Sequence, residues 1–243
     1  MSQRALIYGL PVDLLSQAQL PDLCHDWLGR PGASGQIVTL NVNMLMLALK
    51  DERLFQTIRD AALVTADGYG IARALRRRDY QTDRVTGLAL ARQFLASAAR
   101  EDQSVFCYGG SPGACRKLLE QLPQSFPGLK ILAARDGFGI AGSSRMIRDE
   151  LRAAPPRLLL AGLGTPAQEL FLGEILPSLP GTIGIGVGGV LEVLAGMQNP
   201  APRWLQDHGW EWLFRMIQEP RRFNRLPDLM RFWWKEVKEG GGR

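Results

Sequence analysis

The sequence predicts an α/β fold: a Rossmann-like, mostly parallel sheet with helices on both faces, carrying a C-terminal helical appendage. Three observations carry this expectation. Short apolar runs alternate with stretches of helical spacing from residue 5 to residue 195, and parallel strands need such crossover helices between them. The run Leu-Leu-Leu-Ala at 158–161 is apolar without alternation, as in a strand covered on both faces. Beyond Gly196 strand-like runs stop, and Pro200, Pro202, Pro220 and Pro227 cut the chain into short helical pieces. The expected division is an α/β domain over 1–195 and a basic, tryptophan-rich helical appendage over 196–243.

In chain order, residues 5–12 read as one strand, followed by a helix to about Trp27. A second strand, 36–40, runs into Thr39-Leu-Asn41-Val-Asn43. Met44, Leu45, Leu47, Ala48, Leu54, Phe55 and Ile58 recur at helical spacing, so 44–62 reads as one helix. Strand 63–66 closes on Asp67-Gly68, a short helix over 71–77 ends in a basic run, and the polar loop 83–87 precedes a helix over 88–99. Strand 105–108 then leads through Gly109, Gly110 and Pro112 into helix 114–122, and strand 129–134 leads through Asp136-Gly137 into helix 144–153. Strand 158–164 leads into a helix with Thr165 as N-cap and Pro166 at the first helical position. The last strand, 182–187, meets Gly188-Gly189 and a short helix over 190–195.

The totals narrow the class of partner. The 243 residues are 46% hydrophobic and 22% charged, ordinary for a protein with a packed core. Cys24, Cys107 and Cys115 have no metal-ligand spacing and read as reduced packing residues. His25 and His208 are the only histidines, which argues against a histidine-based zinc site. No secretory leader and no run of about 18 apolar residues is apparent. A net charge of +5 points to an anionic partner.

In parallel α/β sheets ligands gather at the carboxyl ends of the strands. Thr39, Asn41, Asp67, Gly110, Gly162, Gln168 and Gly188 fall at or just past those ends. Asp67 is the leading catalytic candidate, because a shielded rim carboxylate can take a proton from a hydroxyl; the plain alternative is a turn aspartate bonding its own backbone. Asp136 has the same Asp-Gly form, and Glu192 is a third carboxylate near the edge. Arg84, beside Thr86 and Gly87, has the surroundings of a phosphate clamp; otherwise it is a solvated arginine. Gly162 and Gly164 allow close backbone approach, the helix after them offers free N–H groups to an anion, and Gln168 lies one turn in, where its amide can read a polar ligand edge. No Asp-x-Asp occurs, so a leaving diphosphate would be neutralised by arginines and helix N-termini. Gly184-Ile-Gly186-Val-Gly188-Gly189 matches G-x-G-x-x-G, but its first two glycines lie within a strand and not in the turn after one.

In the appendage, Trp204, Trp210, Trp212, Trp233 and Trp234 are interleaved with Arg203, Arg215, Arg221, Arg222, Arg225 and Arg231. That mixture suits a membrane interface. Packing onto the main domain is the stronger reading for Trp204, Trp210 and Trp212, and the interface reading at least equals it for Phe232, Trp233 and Trp234. Residue patterns alone leave three classes open: a group-transfer enzyme, a nicotinamide oxidoreductase suggested by the glycine pattern, and a non-catalytic membrane or nucleic-acid adaptor.

Six motifs in register narrow this. Thr39-Leu-Asn41-Val-Asn-Met-Leu45, Ala66-Asp67-Gly68, Arg84-Val-Thr-Gly87, Tyr108-Gly-Gly-Ser-Pro-Gly113, Gly162-Leu-Gly-Thr-Pro-Ala-Gln168-Glu169, and Glu211-Trp-Leu-Phe-Arg215 through Glu219-Pro-Arg-Arg222 resemble the WecG/TagA/CpsF family of glycosyltransferases. The resemblance implies inverting, metal-independent transfer of a sugar, of N-acetylmannosamine type or glucose, from a UDP-sugar, with no cofactor. The implied acceptor is a polyprenyl-diphosphate-linked sugar at the cytoplasmic face of a bacterial membrane, in cell-surface polysaccharide biosynthesis. It implies a protein peripheral on an anionic membrane surface, with no nucleic-acid partner; a homo-oligomer stays open. It matches Asp67 to the family's proposed base, Thr39, Arg84 and Gln168 to its donor contacts, and Arg215, Arg222 and Arg225 to arginines that close over the diphosphate. Two departures stand out: Ala66 where the family often has proline, and Leu191-Glu192 where it often has Phe-Asp. The second puts sugar specificity in question more than reaction class.

Overall fold

The computed structural model describes residues 3–137, 143–199, 201–202, 205, 214 and 226–240. The chain opens with an antiparallel hairpin, β1 (Arg4–Ile7) and β2 (Leu10–Asp13). The single strand expected over 5–12 is broken because Tyr8 and Gly9 both take positive φ, 49° and 85°. Two such residues in succession make the two-residue turn whose twist matches an antiparallel pair. Helix α1 (Leu20–Gly29) follows.

Six parallel strands form the main sheet: β3 (Gly35–Leu40), β4 (Leu63–Ala66), β5 (Ser104–Gly109), β6 (Lys130–Arg135), β7 (Leu158–Gly162) and β8 (Ile183–Gly186), in the order β4-β3-β8-β7-β5-β6. Between them run α2 (Val42–Ala48), α3 (Glu52–Arg59), α4 (Tyr69–Arg76), α5 (Gly87–Arg100), α6 (Pro112–Ser125), α7 (Ser143–Ala153) and α8 (Ala167–Ile175), and α9 (Val190–Leu194) follows β8. The helix expected over 44–62 is two helices. Asp51 caps the second, its carboxylate accepting from the N–H groups of Arg53 and Leu54 at 3.0 and 3.2 Å, so the chain turns at a cap that helical spacing alone does not reveal.

The two-residue period of each strand sorts its side chains between two layers. Ile37, Val105, Cys107, Leu158, Leu160, Ile183 and Ile185 face a core built with α1, α5, α6 and α9. On the opposite face, Phe106, Tyr108, Leu159 and Ala161 pack against α7 and α8, while Val38, Leu40 and Val64 meet the hairpin, α2, α3 and α4. Both sheet faces are thus covered, which is why the strands read as unbroken apolar runs.

At the amino edge of the sheet one side chain gathers several segments. The Arg157 guanidinium donates to the carbonyls of Trp27, Leu28, Arg30, Ala33 and Gly181. These link the end of α1, the turn after it and the loop before β8.

The C-terminal helix, Leu226–Gly240, lies back on the hairpin and α2. Phe232 is fully buried against Tyr8, and Trp233 packs beside it. Glu236, 2% exposed, is held by Arg78 and by the Tyr8 hydroxyl at 2.9 Å each. Lys50 pairs with Asp228 at 2.6 Å. A membrane-interface reading therefore fails for Phe232, a packing residue, while Trp233 is half-buried beside it.

Candidate functional site

All six strands point the same way, so their carboxyl ends form one edge, and six helices begin there. Asn41 caps α2, Thr86 caps α5 and Ser111 caps α6 through side-chain oxygens; α4, α8 and α9 begin just past β4, β7 and β8. Converging helix N-termini give this edge a surplus of positive partial charge and unpaired N–H groups, which favours anions.

One half of the edge holds Asp67, Arg84, Asn41 and Thr39. Asp67 is half-buried, and its N–H donates to Leu40 O at 2.8 Å. Its turn is adjacent to Asn41, since a Cβ on Gly68 would lie 3.9 Å from the Asn41 Cβ. The loop bearing Arg84 is tied to the same strand end, with Val85 N–H donating to Ala66 O at 2.9 Å. Gln17 braces that loop from behind, its N–H donating to Asp83 at 2.9 Å and its side chain to Arg84 O at 3.2 Å. Asp67 and Arg84 therefore flank one hydrogen-bonded peptide pair. Thr39 is buried, and its hydroxyl donates to Gly186 O at 3.3 Å, joining β3 to β8. Asn41 spends its side-chain oxygen on the Met44 N–H at 3.0 Å, which leaves its amide NH₂ for the edge.

The other half is built of glycine turns. Gly110 has φ of 72° and donates its N–H to Gly162 O at 3.1 Å. A Cβ on Gly110 would come within 3.1 Å of Glu192 Oε1, so the Glu192 carboxylate lies directly against this turn. Burial pushes the Cys115 thiol up to about 11, and Asp136 and Glu192 add to the rise, which locates both carboxylates near α6. Gly162 faces Gly188 across β7 and β8: a Cβ there would sit 2.8 Å from Gly188 O and 2.7 Å from Leu191 Cδ1. Gly164 is exposed at the tip of its turn.

Gln168 is 3% exposed and turned toward the protein. Its Oε1 accepts from Gly164 N–H at 3.1 Å and from Gly188 N–H at 2.9 Å, while its Nε2 donates to Glu169 Oε1 at 2.7 Å. The side chain expected to read a ligand edge thus fastens two glycine turns together. Thr165 does not cap α8, which begins two residues later with no side-chain cap; the Gln168 oxygen takes over the turn's free N–H, and the Thr165 hydroxyl lies near the Glu169 carboxyl.

Sequence reading passed over Glu169. It is 1% exposed, and burial pushes its carboxyl up to about 7, against hydrogen bonding from Gln168, its own amide and Thr165 that favours the charged form. The signal was present: Glu169, Leu172 and Leu176 share a helix face, and that face is buried. The glycine pattern at 184–188 has the same origin. A Cβ on Gly184 would meet Leu172 and Leu176 at 2.9 and 2.7 Å, and one on Gly186 would meet Gln168 Nε2 at 2.9 Å. Those glycines admit α8 against β8, and no dinucleotide turn is formed.

Arg215, Arg222 and Arg225, with Trp204, Trp210 and Trp212, lie outside the described residues. Among the described residues no three His, Cys, Asp or Glu side chains group as a metal site, and no helix is long and apolar enough to cross a membrane.

The family model for the glycosyl transferase WecG/TagA/CpsF family matches residues 5–243. The chain belongs to that family: it is a glycosyltransferase, of a kind that serves cell-surface polysaccharide biosynthesis.

Proposed function

We propose that this glycosyltransferase moves a sugar, of N-acetylmannosamine type or glucose, from a UDP-sugar to a polyprenyl-diphosphate-linked sugar, with inversion and without a metal. The observation that carries this reading is that Asp67 and Arg84 flank the Val85–Ala66 hydrogen bond at one strand end, beside an edge of glycine turns and helix N-termini. Asp67 takes the proton from the acceptor hydroxyl as that oxygen attacks the anomeric carbon, and the diphosphate leaves from the opposite face. One displacement inverts the centre. Arg84 and the helix N-termini at this edge receive the negative charge that develops on the leaving oxygen, while the turns at Gly110 and 162–164, whose Gly110 and Gly164 N–H groups are bonded within the protein, let the diphosphate approach the backbone closely. Arg215, Arg222 and Arg225 complete the clamp on this reading, closing from a 196–243 appendage. On this reading Glu192, which lies against the Gly110 turn, accepts hydrogen bonds from donor hydroxyls.

The C-terminal helix supports attachment to the cytoplasmic face of an anionic membrane. Met230, Trp234 and Val237 are 70%, 61% and 63% exposed and fall on one helix face. Lys238 Nζ lies 3.8 Å from the Trp234 ring centre, so a cation accompanies the apolar stripe, the composition an interfacial helix needs.

The test is release of nucleoside diphosphate from a panel of nucleotide sugars with a short-chain polyprenyl-diphosphate sugar, in buffer containing EDTA. General-base catalysis supplies about 10²–10⁴-fold, so Asp67→Asn should lose that much turnover and keep donor affinity. Near-normal turnover in Asp67→Asn removes it as the base, and strict dependence on an added divalent ion overturns the metal-free mechanism.

A further inference from the structure

We propose that Glu169 is a positioning residue: by accepting from the Gln168 amide it fixes which way that amide faces, and so holds the Gly164 and Gly188 turns in the register the donor diphosphate requires. This deepens the donor-site reading above and rests on it only for the identity of the ligand.

The geometry is directional. A glutamine amide has an accepting end and a donating end, and the two can exchange by a flip of its last torsion. The Gln168 oxygen faces two backbone N–H donors, on Gly164 and Gly188, at 3.1 and 2.9 Å. Flipped, its NH₂ would meet both N–H groups donor to donor. Glu169 Oε1, 2.7 Å from Nε2, can accept from that NH₂ only in the observed orientation. The carboxyl is fixed in turn. The Gln36 side chain donates to the Glu169 carbonyl at 3.1 Å, pinning its backbone to β3, and a Cβ on Gly186 would lie 3.0 Å from Oε1.

Around the carboxyl stand Gln168, Thr165 and the Gly186 backbone, none of them charged. A carboxyl placed among neutral groups at 1% exposure, with Oε2 unpartnered, is an expensive choice for a helix–sheet contact that leucine could fill. Its return is the polarity of the hydrogen bond to Gln168, which joins the ends of β7 and β8 on the face that receives the diphosphate in the reading above.

The experiment uses the full chain labelled with ¹⁵N-glycine. Amide exchange at Gly164 and Gly188 and affinity for UDP are measured in the wild type, Glu169→Leu, Glu169→Gln, Gln168→Glu and the double variant Gln168→Glu/Glu169→Gln. Positioning predicts exchange about tenfold faster in Glu169→Leu and in Gln168→Glu, the loss of one buried hydrogen bond. Glu169→Gln keeps an acceptor and stays within about threefold of the wild type, and the double variant, in which the donor and acceptor change places, is restored to the same range. UDP affinity follows the same order. If Gln168→Glu, nearly isosteric, exchanges like the wild type, or if the double variant is no better than Gln168→Glu, the inference is overturned; this comparison stands even where Glu169→Leu does not fold. If exchange follows the predicted order while the wild type binds no UDP, the positioning role is supported and the donor reading is what fails.

Discussion

The Glu169 carboxyl makes stability and pH interdependent in an unusual direction. Most carboxylates in folded proteins are stabilised as ions, and stability then falls as pH is lowered. Here burial raises the group from 4.5 to about 7, so the folded state favours the neutral form. The contribution is fully present below pH 4.5 and is lost as pH rises through about 7. A rise of that size corresponds to about 3 kcal/mol, without a discount for solvent screening because the side chain is buried. Glu169→Gln keeps the shape and removes the titration. Urea midpoints of wild type and Glu169→Gln, measured from pH 5 to pH 8, should therefore separate progressively, the variant becoming more stable relative to the wild type by about 2–3 kcal/mol at the alkaline end. Other titrating groups cancel in the difference. A wild-type-minus-variant difference that is flat across that range would refute the claim that a neutral acid is buried under the glycine turns.

Three further outcomes follow from contacts already described. Gly162→Ala places a methyl 2.7 Å from Leu191 Cδ1 and 2.8 Å from Gly188 O; it should cost about 1–3 kcal/mol by thermal or urea unfolding and raise the donor KM. Trp234→Ser/Val237→Ser removes two exposed apolar groups from the C-terminal helix; co-sedimentation with anionic vesicles should weaken by at least about tenfold, with the melting temperature unchanged, and unchanged sedimentation would rule this face out as the membrane contact. Burial pushes the Cys107 thiol up to about 12, so the native protein should react with a thiol reagent at this position only as fast as it unfolds, whereas a rapid native-state reaction would contradict the packing of β5 against α6.

The sheet was legible in the sequence because burial on both faces turns parallel strands into unbroken apolar runs, and each run predicted from residue 36 onward is a strand of the structure. The breaks were less legible. Tyr8-Gly9 interrupts an apolar segment in which Gly9 and Pro11 are the only cues to a break, and its geometry lies in backbone signs that composition does not encode. The Asp51 cap was hidden because the apolar residues before and after it keep helical phase. At the site, sequence named the strand ends at which Asp67, Arg84 and the glycine turns meet. It could not tell which way Gln168 faces, since a glutamine near a helix start can address a ligand or the protein equally well. Glu169 was visible only as an acidic residue on an apolar face. The 184–188 glycines show the reverse case, where a familiar spacing arose from the close approach of a helix to a strand.

Arg157 has a consequence for how the chain tolerates cutting. Its guanidinium grips carbonyls on both sides of the turn at Arg30 and Ala33, and another from the segment entering β8. A protease nick in that turn would leave the two fragments fastened to the same cation, from a strand that belongs wholly to the second fragment. The cut protein should stay assembled as one particle, and the chain could be expressed as two pieces that find each other.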